Sequence, residues 1–165
     1  MNVPEKYLAY IEMIVSTARE FMAEGNELQG MAFLGKFGAG IVPVPVNMMD
    51  KDRSVMMLKE LCKRTEPDYV MMISEAWMVE RKDASKADQD DLLNEYKAHK
   101  GLADHPERVE IVMLSLETQE GLWFGKSPIK SLGDGKRGFD DLEFTMTTQL
   151  EGRFACFLPQ SGPVH

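Results

Sequence analysis

Leu8, Ile11, Val15, Ala18 and Met22 stand three or four positions apart near the start of the chain, the spacing that lines one side of an α-helix. A helix over residues 4–24 is predicted, with Asn2 able to cap it and Gly25 able to end it. The period then shortens. Residues 31–37 and 41–46 read as strands joined through Gly38-Ala39-Gly40, a hairpin pattern. In the second strand, Val42-Pro43-Val44-Pro45-Val46, the prolines are two apart, so both missing N–H groups fall along one edge of an extended chain. Such a strand belongs at the margin of a sheet, paired on its other side only.

Asp50 opens a second helix over residues 51–64, with Val55, Leu58, Leu61 and Cys62 on one side, Lys63 and Arg64 in the last turn and Pro67 as the stop. Residues 69–79 are apolar on both alternating faces as far as Ile73, which marks an interior strand. From 81 to 106 the chain turns polar and acidic, with Asp83, Asp88, Asp90, Asp91 and Glu95, and only Leu92, Leu93 and Tyr96 to anchor a short helix. This reads as an insert between strands, mobile at its ends. Four more strands follow at 109–118, 121–127, 142–149 and 153–158; in the third, Leu142, Phe144 and Met146 alternate with Glu143, Thr145 and Thr147. Strand and helix do not alternate as a parallel sheet requires. The prediction is a single α+β domain: a mostly antiparallel sheet, both amphipathic helices on one face and the strand at 69–79 inside.

The 165 residues suit one domain. Nineteen Lys and Arg against 27 Asp and Glu leave a formal charge of −8, which repels phosphate backbones, so nucleic acid is not expected as a partner. No apolar run reaches the ~18–20 residues of a membrane helix, and Glu5, Lys6, Glu12, Arg19 and Glu20 make the amino terminus unlike a signal peptide. No membrane association and a cytoplasmic setting are expected. Cys62 and Cys156 lack the spacing of metal ligands and the density of a disulfide scaffold, and fit buried free thiols in a reducing compartment. Thirteen methionines include pairs at 48/49, 56/57 and 71/72, and thioethers serve both irregular cores and adaptable surfaces.

Candidate chemistry is sparse. Gly121-Leu122-Trp123-Phe124-Gly125-Lys126-Ser127 ends like a phosphate loop but has three residues between its glycines where four are needed, and residues 128–133 show no helical stripe to follow it. It reads as a strand. Gly133-Asp134-Gly135-Lys136-Arg137-Gly138 joins backbone N–H groups to two cations, a combination that could wrap an anion, but Asp-Gly among glycines is more simply a turn. Glu75 interrupts an apolar strand on the face shared with Ile73 and Trp77, so it is either a general base seated at the strand end or a carboxylate emerging where the strand leaves the core. His99 and His105, near Asp104 and Glu107, have a composition a metal could use but no spacing that fixes two ligands together. No serine lies in Gly-x-Ser-x-Gly. Neither a metal nor a cofactor is expected.

Ser74-Glu75-Ala76-Trp77-Met78, followed after a polar insert by His105-Pro106-Glu107-Arg108 opening a strand, resembles a pattern found in small uncharacterised bacterial and phage proteins. The resemblance covers the middle third of the chain. It implies a prokaryotic or viral cytoplasm and a shared neighbourhood for Glu75, Trp77, His105 and Arg108, with no activity to carry over. Two functions follow from the residues. One is a non-catalytic interaction or accessory protein that self-associates. The other is a small enzyme or ligand-binding protein using Glu75 with His105 or Arg108. Self-association follows from counting faces: with both helices on one side, Val70, Met72, Ala76 and Met78 are left as a methionine-rich patch that a two-fold homodimer would cover.

Overall fold

The computed structural model describes residues 2–47, 49–79, 106–147 and 157–158. They form helix α1 (Glu5–Ala23), strands β1 (Met31–Lys36) and β2 (Gly40–Pro45), helix α2 (Lys51–Thr65), then strands β3 (Tyr69–Met78), β4 (Val109–Thr118), β5 (Gly121–Gly133), β6 (Lys136–Phe139) and β7 (Glu143–Thr147). All pairings are antiparallel, in the order β2-β1-β3-β4-β5-β6 with β7 also on β5. The α+β class and the antiparallel sheet are as the pattern predicts.

The helices lie on opposite faces of the sheet, not on one. Tyr7, Ile11, Ile14, Val15, Ala18 and Met22 of α1 pack with Tyr69, Met71 and Ile73 of β3 and with Val112, Leu114 and Leu116 of β4. Leu58 and Cys62 of α2 pack with Val70 and Met72 of β3, Ala32 and Leu34 of β1, and Phe157 and Leu158. The reason lies in β3. Successive residues point to opposite faces, and both faces are apolar, so each needs a cover and each helix supplies one.

Local signals explain the ends of both helices. Pro4, not Asn2, occupies the cap position of α1, without a side-chain cap bond. Gly25, at φ 91°, ends the helix: its N–H donates to the Met22 carbonyl and that of Asn26 to Phe21, the paired bonds of a Schellman turn. In α2 the Asp50 carboxylate accepts from the Arg53 N–H. The apolar stripe of α1 runs through Tyr7 instead of Leu8, which is 48% exposed. Both positions are compatible with Ile11, and the Tyr7 ring prevails by meeting Tyr69 edge-on at 5.3 Å and Phe37 at 5.8 Å. Gly35, opposite Tyr69 in the β1–β3 register, makes room for that cluster, since a Cβ there would lie 1.9 Å from the tyrosine ring.

The proline-bearing strand is at the margin, as expected. Met31 faces Pro45 and Phe33 faces Pro43, while the Val46 N–H donates inward to Gly30, so the even positions bond to β1 and the prolines turn their missing donors outward. At the other side β5 continues past Ser127 to Gly133. Pro128 falls where the partner along that edge changes, between the stretch paired with β7 and the stretch paired with β6. Asp134 and Gly135, at φ 53° and 76°, make the tight β5–β6 turn that Asp-Gly favours. Gly121–Ser127 is strand and not a phosphate loop. Most of the acidic insert and of the strand expected at 153–158 lie outside the described residues. No described helix is long and apolar enough to cross a membrane.

Candidate functional site

β3 is buried from Tyr69 to Ser74, half-buried at Glu75 and Ala76, and exposed at Trp77. Glu75 thus stands where the strand leaves the core, on the α1 side and just beyond the helix end. The connection from α1 to β1 passes there, and the Leu28 N–H donates to Glu75 Oε1 at 2.7 Å. From the opposite side β6 presents Arg137, whose Nη2 donates to Oε1 at 2.7 Å and whose Nη1 donates to Oε2 at 3.0 Å. Arg137 Nη2 also donates to the Asn26 carbonyl at 3.2 Å. One two-pronged ion pair therefore ties together β3, β6 and the α1–β1 connection. Hydrogen bonding to Glu75 is the main cause that raises the Arg137 pKa above its ordinary value, and the charges of Glu75, Glu110 and Glu27 add to it.

The pair forms part of the wall of a cleft of about 730 Å³, whose rim also includes Glu27, Leu28, Val46, Met49, Trp77 and Glu110. Trp77 is 47% exposed and its Nε1 donates to Glu110 Oε1 at 3.4 Å across the β3–β4 pairing. Met49 is 95% exposed.

Glu75 and Trp77 come together in this cleft. The partner of Glu75 is Arg137, however, rather than Arg108, which is exposed at the entry to β4. His105, His99 and Cys156 lie outside the described residues. Met72 is 7% exposed, enclosed by α2 and residues 157–158. The argument for a homodimer through Met72 loses its premise, because the face expected to be bare carries α2. Among the described residues no three His, Cys, Asp or Glu side chains gather as metal ligands would.

Two residues escaped the reading of the sequence. Arg137 was visible only as a cation in a glycine-rich turn; nothing local marks it as the counter-ion of a residue 62 positions earlier. Glu117 is the other. It is 2% exposed and its carboxylate accepts the N–H groups of Phe157 at 3.2 Å and Leu158 at 3.1 Å. Burial, with the Glu117 charge adding to it, pushes the Cys62 thiol up to about 11. Both residues border the face covered by α2, where Cys62, Phe157 and Leu158 also line a second cavity of about 580 Å³. A carboxylate in an otherwise strand-like run is the signal that could have flagged Glu117, as it did Glu75.

Comparison of the chain with models of protein families, with curated proteins and with solved structures finds no match, so the site is read from its own geometry.

Proposed function

We propose that the chain is a non-catalytic interaction protein and that the cleft beside Glu75 is the surface through which it holds a partner. The observation that carries this reading is the engagement of Glu75. Both carboxylate oxygens are taken by one guanidinium, and a backbone N–H adds a third donor. A general base needs a carboxylate oxygen open to its substrate, and here both oxygens are already held by donors of the fold. Glu75 instead fixes the shape of the cleft, while Trp77 and Met49 offer an aromatic and a flexible thioether surface at its rim, side chains frequent at binding sites. A cytoplasmic setting accords with the buried free thiol of Cys62.

The reading is tested by placing a photo-crosslinking side chain at Met49, on the rim, and in a second variant at Met13, exposed on α1. A partner held in the cleft gives a cross-linked species in cells from position 49 that Trp77→Ala abolishes, and none from position 13. Equal yields from both positions, or a yield unaffected by Trp77→Ala, overturn the reading.

A further inference from the structure

The balance of charge in the cleft indicates what it holds. Among the described residues, the cleft is lined by three carboxylates, Glu27, Glu75 and Glu110, and one cation, Arg137. Glu75 takes that cation in a two-pronged ion pair. Among the described residues Glu27 and Glu110 form no ion pair, and the one side-chain bond of Glu110 is to the neutral indole of Trp77. That bond steadies a half-exposed aromatic ring beside a carboxylate that lies outside ion-pair distance of Arg137, the pair of features that attracts a guanidinium or ammonium through the ring face and the charge together. Leu28, Val46 and Met49 supply apolar lining against which the methylene stem of a long basic side chain can lie. A main-chain strand addition at this margin is blocked, because Pro43 and Pro45 present no N–H to a partner strand. Recognition through side chains is therefore favoured over a regular strand ladder. The chain's formal charge of −8 also favours approach of a basic partner over an acidic one.

On the reading that the cleft binds a partner, we infer that its occupant is an arginine- or lysine-bearing segment of another protein, with the basic side chain over the face of the Trp77 ring and drawn by the carboxylates of Glu110 and Glu27. The Glu75–Arg137 pair forms the fixed wall behind it.

The test is calorimetric titration of the full chain with a capped heptapeptide carrying two arginines among alanine, leucine and glycine, and with the same peptide carrying citrulline in their place. Citrulline keeps the shape and removes the charge. The arginine peptide is expected to bind saturably at low salt, at least tenfold more tightly than the citrulline peptide. It should weaken at least tenfold in E27Q/E110Q, whose two changes are at exposed positions, and should weaken further in 0.5 M sodium chloride. Circular dichroism of E27Q/E110Q confirms that the fold is retained. Absence of binding by the arginine peptide, or binding undiminished in E27Q/E110Q, overturns the inference. Equal binding of both peptides, lost in Trp77→Ala, overturns it while leaving the cleft as the partner site. A homodimer seen by sedimentation and dispersed by Trp77→Ala identifies a second copy as the occupant and also overturns it.

Discussion

Arg137 and Glu75 are each about one-fifth exposed as side chains, so their ion pair is shielded more than a surface pair and removal of one partner leaves the other poorly solvated. Arg137→Ala is expected to cost about 1–3 kcal/mol, read as a lower urea midpoint. Glu75→Gln, which keeps an acceptor for the Leu28 N–H, should cost less. At Cys62 the relevant variable is pH. Its thiol has an ordinary value of 9.0 and is pushed up to about 11 in the folded chain, and Tyr69 is likewise pushed from 10.0 to about 12, mainly by burial. Between pH 9 and 12 the unfolded chain gives up protons that the folded chain retains, so stability falls as pH rises. The Cys62 part begins near pH 9 and is complete near pH 11, at roughly 2–3 kcal/mol. Urea midpoints measured from pH 8 to 11 should fall more steeply for the wild type than for Cys62→Ala.

Among the elements, β2 has the most unusual chemistry and the clearest sequence signal. Pro43 and Pro45 turn their donor-free edge outward, one of the ways a sheet margin avoids joining another chain. Restoring both donors in Pro43→Thr/Pro45→Thr should leave monomer stability little changed and increase concentration-dependent association, measured by light scattering. The legible elements share a feature: their signals are local. The proline spacing, Asp50 at the start of α2, Gly25 at the end of α1 and the apolar run of β3 each declare themselves within a few residues. The choice of face for each helix is not local. The apolar stripes of α1 and α2 show that each helix needs a sheet face but not which one, and only the alternation of Tyr69, Val70, Met71, Met72 and Ile73 between two covers resolves it. The site divides in the same way. Glu75 and Trp77 stand out because they interrupt a strand pattern, whereas Arg137 becomes the partner of Glu75 through the β5–β6 pairing, 62 positions later in the chain, which no local pattern encodes.

In the whole molecule, one sheet separates two apolar layers. The larger lies under α1. The smaller lies under α2 and is completed by Phe157 and Leu158, held through Glu117. Met72 lies in the smaller layer, so Met72→Lys forces an ammonium among apolar groups and should unfold that layer. The expected result is a large fall in melting temperature by circular dichroism. A folded, soluble Met72→Lys chain of unchanged melting temperature would contradict the enclosure of Met72. The proline margin has a consequence for higher-order assembly. Continuous hydrogen-bonded fibres require every molecule to accept a neighbour on both sides of its sheet, and a molecule with one side closed can accept only one. Two such molecules joined through their sheets have used both available sides, so growth by this route stops at a pair.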